Sequence, residues 1–128
     1  MGNISIISNN PQVLEQYPQH TLTIEGGVLQ VYEAARDAIH RGAKLLNHPL
    51  AGSIKPNQCP YRSLVLSTAS DGSLDLDSLS HIEGAIQTLH RLPKLNRQYT
   101  EPAMTDFRFV DLCLLETAMQ ALPAMYYL

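Results

Sequence analysis

Apolar and polar positions alternate in two distinct ways along this chain. Short runs rich in β-branched residues occupy positions 4–7 and 21–24, and two further short apolar runs occupy 43–47 and 61–68. Runs of this length, separated by residues that favour turns, predict four β-strands.

Elsewhere, apolar residues recur at helical spacing and predict three main helices. The first begins at Val28 and ends before Gly42, because glycine suits the position that follows a helix. The second begins between Asp77, a candidate N-cap, and Ser80, which has the spacing of a capping box with Glu83.

The last helix is predicted from residue 105 or 106 to about residue 122, after a polar connection that begins near residue 95. It is apolar around most of its circumference. One stripe consists of Phe107, Val110, Leu114, Ala118 and Ala121, and it is widened by Phe109, Leu112, Cys113 and Leu115. Such a helix needs cover on more than one face, so the 105–122 helix is a candidate homodimer interface.

Strands that alternate with helices predict one α/β domain over residues 1–128, with a largely parallel four-stranded sheet flanked by the three main helices. In such a sheet the carboxyl ends of the first three strands share one edge. The segments 9–10, 25–27 and the loop at 47–61 are therefore expected to meet there. Open α/β sheets bind their ligands at this edge.

Composition narrows the classes of function. A hydrophobic content of 45% and a charged content of 16% are typical of a globular protein. The net charge of -3 offers no electrostatic surface for nucleic acid. No apolar run reaches the ~18 residues of a membrane span, and no signal-peptide pattern is present. Cys59 and Cys113 lie in very different contexts, which favours reduced thiols and a cytoplasmic location.

The loop between the predicted third and fourth strands contains the densest candidate chemistry. Its three prolines restrict the backbone, which predicts an ordered loop. Gly52 permits close backbone approach, while Ser53 and Lys55 supply hydrogen-bond donors, so this stretch predicts an anion site. The alternative is a solvated surface loop whose polar residues satisfy their own turns.

The candidate ligand-binding residues are Asn9, Asn10, His48, Gly52, Ser53, Lys55 and Asn57. Lys55 is the expected charge partner of the anion, Ser53 its hydroxyl donor, and the asparagines orient it. His48 is the candidate acid or base, with a structural role as the favoured alternative. No cofactor is expected, and no metal, because His40, His48 and Cys59 lack the spacing of a zinc site.

Several stretches of the chain resemble the GrdX family. They are Ile7-Ser8-Asn9-Asn10-Pro11, Ile24-Glu25-Gly26, the run from Arg36 to Gly42, Leu74 to Leu79 and, most specific, His48-Pro49-Leu50-Ala51-Gly52-Ser53-Ile54-Lys55-Pro56-Asn57. The resemblance covers most of residues 4–92 and is expected to end near residue 95. It implies a small cytoplasmic accessory protein encoded with glycine, sarcosine or betaine reductase, and it assigns no catalytic residue.

Together these patterns favour a non-catalytic accessory protein that binds a small anionic ligand at the 48–61 loop. One alternative is a small enzyme that acts on a phosphorylated or carboxylated metabolite, with His48 as acid or base. Another is a structural protein that docks through its last helix onto a protein of the reductase system. Neither nucleic acid nor membrane is an expected partner.

Overall fold

The computed structural model describes residues 2–52, 54–68, 72–95 and 98–128. Seven elements lie within these ranges. They are β1 (Ile4–Ser8), α1 (Pro11–Gln16), β2 (Thr21–Thr23), α2 (Val28–His40), β3 (Ser63–Ser67), α3 (Leu76–Arg91) and α4 (Glu101–Gln120). The three strands form a mixed sheet in the order β2-β1-β3, in which β1 runs parallel to β2 and antiparallel to β3. The protein is a small α/β domain.

The prediction of a four-stranded, largely parallel sheet is wrong. The predicted strand at 43–47 forms one isolated antiparallel bridge, between Leu45 and Leu66. The pairing of this segment with β3 ends because a side chain takes the place of a backbone carbonyl oxygen as acceptor. Asn47 Oδ1 accepts the Val65 N–H at 2.8 Å. Ser67 Oγ likewise accepts the Lys44 N–H at 2.8 Å.

Helices cover both faces of the sheet. Successive strand side chains point to opposite faces, so each strand contributes to two separate cores. The core shared with α2 and α3 contains Ile7, Val28, Val31, Tyr32, Ala35, Ile39, Leu64, Leu66, Ile82, Ala85 and Ile86. The core shared with α1 and α4 contains Ile4, Ile6, Val13, Val65 and Leu115. Within the described ranges, no helix is both long enough and apolar enough to cross a membrane.

The first two predicted helices are present, and the second of them begins at a different residue from the one predicted. α2 confirms the predicted helix, and Gly42 follows it with a φ of +105°. α3 begins earlier than predicted, because Asp75 is its N-cap and accepts the Ser78 N–H at 3.2 Å. Asp77 therefore lies in the first turn, and Ser80 lies inside the helix rather than at its start.

α4 also begins earlier than predicted and faces the sheet with a different side. Thr100 is its N-cap, and Pro102 occupies the first turn, where a missing N–H leaves no bond unmade. The buried positions of α4 are Asp111 and Leu115, whereas Leu114 of the predicted stripe is 37% exposed. On this side of α4, Asp111 accepts hydrogen bonds from Asn10 and Ser63.

Candidate functional site

The ends of β1 and β2 meet the start of β3 at one edge of the sheet, where Asn9 joins all three. Its Nδ2 donates to the carbonyl oxygens of Gly26 at 3.0 Å and Pro60 at 2.9 Å. Its Oδ1 accepts the Arg62 N–H at 2.9 Å. The three segments converge as expected, but for another reason. Because β3 is antiparallel to β1, it is the end of the central loop that arrives at this edge.

Next to this junction, four polar side chains form a network that is buried against α4. Ser8 and Asn10 are each 1% exposed, and Ser63 and Asp111 are each 5% exposed. Asn10 Nδ2 donates to Asp111 Oδ2 at 2.9 Å, and Ser63 Oγ donates to the same oxygen at 2.7 Å. Since Ser63 has one hydroxyl proton, Ser8 must be the donor in the 2.7 Å contact between the two hydroxyls. The Asn10 N–H donates in turn to Ser8 Oγ at 2.9 Å.

Asn10 is the structural hub of this network. Its Oδ1 accepts the Gln12 N–H at 3.0 Å and so caps α1. Its Nδ2 also donates to the Arg108 carbonyl oxygen on α4 at 2.8 Å. Because these bonds use its amide group, Asn10 positions Asp111 rather than standing free to orient a ligand.

The Asp111 carboxyl group has an altered acidity. Burial raises its pKa above the ordinary value for an aspartate, because the charged form loses solvation. Hydrogen bonds from Asn10 and Ser63 and the positive charge of Arg62 act in the opposite direction. Asp111 is thus a buried carboxyl group that holds a proton more readily than an exposed one.

A cavity of about 260 Å³ lies beside the network, between the central loop and α4. Its polar lining consists of Asn47, His48, Arg62, Ser63 and Asp111, and α4 supplies an apolar wall that includes Leu114, Leu115 and Ala118. A small apolar chamber with a few convergent polar groups is the usual form of a small-molecule site.

Arg62 is the unusual member of this lining. Its side chain belongs to a residue that is only 6% exposed, and its Nη1 donates weakly to the Ala51 carbonyl oxygen at 3.4 Å. Its Nε has no hydrogen-bond partner among the described residues. A buried guanidinium group normally finds partners for its donors, because leaving them unpaired costs free energy. The cavity therefore contains a cation with an unsatisfied donor.

The rim of the cavity is formed by the first part of the central loop. His48 is exposed, its Nδ1 accepts the Leu50 N–H at 3.1 Å, and its ring centroid lies 5.0 Å from that of His81. Gly52 has a φ of +95°, and a Cβ there would lie 3.0 Å from the Leu114 side chain. Both the backbone conformation and the close contact explain why glycine stands at this point of the rim.

A second, wider hollow of about 1010 Å³ lies at the sheet edge, beside the amino end of α2. Asn9 and Asn57 line it. Asn57 Nδ2 donates to the Pro93 carbonyl oxygen at 2.9 Å, and its buried Oδ1 has no partner in the described part of the chain.

The structure thus divides the predicted site residues among different places. His48 and Gly52 line the smaller cavity, Asn9 and Asn57 line the wider hollow, and Asn10 lies in the buried network. Lys55 is exposed and lines neither of these two hollows. Ser53 lies outside the described residues.

Sequence reasoning missed the two charged residues of the cavity. Asp111 is the one carboxylate between Asp106 and Glu116, in an otherwise mostly apolar stretch of helix. Arg62 directly precedes a strand in which every residue is buried. A charge in such a position is a recognisable signal, because charged side chains are rarely buried without a partner.

The two cysteines of the chain lie in different surroundings. Cys59 is buried, its Sγ donates to the Tyr61 carbonyl oxygen at 3.3 Å, and burial raises the pKa of its thiol. Such a thiol is a poor nucleophile and metal ligand. Cys113 is a free thiol in α4. Within the ranges that the structure describes, no three histidine, cysteine, aspartate or glutamate residues are grouped to hold an ion.

Comparison with known proteins finds a family model, described as GrdX-like protein, that matches residues 5–120. The expectation that the resemblance ends near residue 95 is therefore wrong, since the match includes all of α4 and both charged residues of the cavity. No curated protein and no solved structure matches the chain.

Proposed function

Because the chain belongs to the GrdX family, we propose that it is a non-catalytic accessory protein that binds a small anion between the 48–61 loop and α4. The ligand carries a carboxylate or a phosphate group, and the cavity of about 260 Å³ limits it to a small metabolite. The family match supports the accessory role, and the chemistry of the cavity supports the ligand.

The unsatisfied Arg62 side chain is the observation that carries this proposal. Arg62 lines the cavity, is nearly inaccessible to solvent, and has an Nε without a partner in the described residues. A carboxylate or phosphate accepts two parallel hydrogen bonds from a guanidinium group, which no neutral ligand does as well. An anion in the cavity would therefore offer acceptors to the guanidinium group and compensate its buried charge.

This proposal moves the main charge partner from Lys55 to Arg62. The Lys55 side chain is exposed, and an exposed ammonium group keeps most of its hydration, so it adds little binding free energy. Lys55 stays a predicted contributor to the approach of the ligand, because it lies three residues beyond Gly52 at the rim.

Thermal unfolding with a panel of small anions and carboxylate zwitterions tests the proposal. The panel contains phosphate, acetyl phosphate, acetate, glycine and betaine. A compound at a hundred times its Kd adds about 2.7 kcal/mol, which raises the Tm by several degrees. We expect Arg62→Gln to abolish this shift and Lys55→Ala, the matched loss of a cation, to retain most of it. A shift that survives in Arg62→Gln would refute the site.

Family membership also supports a protein partner in glycine, sarcosine or betaine reductase metabolism, and hence a cytoplasmic location. Immobilised protein should capture purified components of such a reductase. Capture that is equal for this protein and for an unrelated acidic protein of similar size would contradict this partner.

Docking through α4 is a second candidate function, favoured by an exposed aromatic side chain. Phe109 is 60% exposed on this helix, and an aromatic side chain in such a position can contact a partner. If the 105–122 segment forms a homodimer, Phe109→Asp should halve the mass measured by sedimentation. An unchanged mass would leave the docking hypothesis without its main contact.

The enzyme alternative depends on His48, which lines the same cavity. It predicts turnover of a phosphorylated or carboxylated compound that is lost in His48→Ala, while ligand-induced stabilisation is retained. Equal turnover in the variant and the original protein would reject His48 as the acid or base.

A further inference from the structure

We propose that the anion enters the cavity together with a proton, which Asp111 carries on Oδ1. The ligand is a small monoanion held between the Arg62 guanidinium group and a neutral Asp111 carboxyl group. This inference rests on the proposed function, because it describes how that same cavity receives its ligand.

The orientation of the Asp111 carboxyl group determines where the proton sits. Both of its side-chain hydrogen bonds fall on Oδ2, one from Asn10 and one from Ser63. A proton on Oδ2 would face these two donors, so the proton belongs on Oδ1. The carbonyl oxygen of a neutral carboxyl group still accepts both bonds.

The hydroxyl groups of Ser8 and Ser63 connect the Asn10 backbone to Oδ2 of Asp111. The sequence of donors starts at the backbone N–H of Asn10, which can only donate, and passes through Ser8 and Ser63. The network is therefore compatible with either charge state of Asp111, and neither of its two side-chain donors bonds to Oδ1.

Charge balance decides which state accompanies an anion. With Asp111 ionised, the cavity contains one positive and one negative group, and an entering anion meets a like charge at short range. Protonation of Asp111 removes that repulsion, leaves Arg62 as the charge partner, and adds an O–H donor. Proton and anion must then strengthen each other's binding by the same factor. The raised pKa of Asp111 makes the proton easier to acquire.

Other titratable groups lie near Asp111, and their effects on anion binding can be distinguished from its own. His48 lines the same cavity and would also favour an anion when protonated. The buried Cys59 thiol has a raised pKa and stays neutral. β1 and the N-cap of α1 present the uncharged Ser8 and Asn10. One turn before Asp111, Arg108 bonds Glu101, Thr105 and Tyr61.

The test measures the Kd of methanesulfonate and of propionate by calorimetry between about pH 5 and pH 8. Methanesulfonate keeps one negative charge throughout and has no titratable group of its own. We expect the Kd to rise with pH by up to about tenfold per pH unit, as uptake of about one proton requires. Calorimetry in buffers of different ionisation enthalpy counts that proton in the unaltered protein.

Asp111→Asn reproduces the neutral carboxyl group, because its amide oxygen can accept from Asn10 and Ser63 while its NH₂ group replaces the Oδ1 donor. Its Kd should be independent of pH and equal to the low-pH value of the original protein. His48→Gln should keep the pH dependence, and Asp106→Asn, which removes an exposed carboxylate from the same helix, should behave as the original protein does.

The outcomes separate this inference from the proposed function. If Arg62→Gln bound both anions as tightly as the original protein at every pH, the proposed function would be overturned, and this inference with it. Binding that requires Arg62 but takes up no proton would overturn this inference alone. A pH dependence that disappears in His48→Gln and persists in Asp111→Asn would also overturn it, because the proton would then reside on the histidine.

Discussion

The two faces of the sheet differ in what they contain. The face covered by α2 and α3 has a continuous apolar core to which Ile7, Leu64 and Leu66 contribute. The face covered by α1 and α4 is apolar around Ile6 and Leu115, but polar where β1 ends and β3 begins. The first face has the composition of a stabilising core, and the second combines a smaller core with the candidate site.

The same two strands produce both faces. Ser8 and Ser63 are directly opposite each other in the antiparallel register, and both side chains point toward α4. A buried polar group must be hydrogen-bonded, and these hydroxyl groups are satisfied by Asn10 and Asp111. Burying Asp111 costs solvation that an apolar residue would not lose, so the α4 face is less stabilising than an apolar face of the same size.

The largest expected effect is on the apolar face. Ile82 of α3 is fully buried, and Ile82→Ala leaves a cavity in the core. We expect a loss of about 2–5 kcal/mol in the free energy of unfolding, measured with urea. Leu114→Ala, at a partly exposed position, should cost much less. The binding of anions below the unfolding transition should persist in Ile82→Ala, and its loss would show that the two faces are not independent.

A smaller loss of unfolding free energy is expected when a hydrogen bond of the polar network is removed. Asn10→Ala removes the donor to Asp111 Oδ2 and the cap of α1, which should cost about 1–3 kcal/mol of unfolding free energy. In an Asp111→Ala background the acceptor is already absent, so the cost should fall. Equal costs in both backgrounds, in a double-mutant cycle, would contradict the coupling of these two residues.

The pH dependence of stability should differ in sign between two carboxylates. Burial raises the pKa of Asp111, so between about pH 3.9 and that raised pKa the folded state binds more protons than the unfolded chain. Stability then falls as pH rises through this window, and Asp111→Asn should flatten the fall.

Asp75, at the start of α3, should behave in the opposite way. Its hydrogen bond from Ser78 lowers the pKa of its carboxyl group, so its stabilising contribution is present at neutral pH and is lost as pH falls through the lowered pKa. Urea unfolding as a function of pH, with Asp75→Asn as the matched variant, distinguishes the two. A fall in stability with rising pH that is unchanged in Asp111→Asn would rule out Asp111 as its source.

The smallest effect concerns the contact between α1 and α4. Burial, and the hydrogen bond that Tyr17 Oη donates to Glu116 Oε2 at 2.8 Å, raise the pKa of Tyr17 to about 12. The folded state keeps this proton while the unfolded chain loses it, so stability decreases as pH rises from about 10 to about 12. Burial also raises the pKa of Tyr32, so absorbance titration of Tyr17→Phe should show one fewer late-titrating tyrosine than the original protein. An identical titration curve for the variant would exclude this assignment.

The local pattern of the sequence was sufficient for most elements of the fold. The apolar stripe from Val28 and the glycine at position 42 predicted α2, and the runs at 4–7, 21–24 and 61–68 predicted the three strands of the sheet. The family resemblance was also correct. The run at 43–47 has the same local pattern, but pairing depends on its partner, and Asn47 ends that pairing with its side chain.

The sequence by itself determined which side of α2 and of α3 is apolar, because periodicity is a property of neighbours along the chain. It also predicted candidate site residues in the central loop, and two of them, His48 and Gly52, line the cavity. Only the tertiary structure decided what faces that cavity. Asp111 lies 101 residues from Asn10 and 48 from Ser63 along the chain. The positive charge of Arg62 also acts on the Asp111 carboxyl group. These residues are close to one another only because the sheet and α4 pack together. Contacts of such separation leave no periodic signal, so the site became visible only in the folded chain.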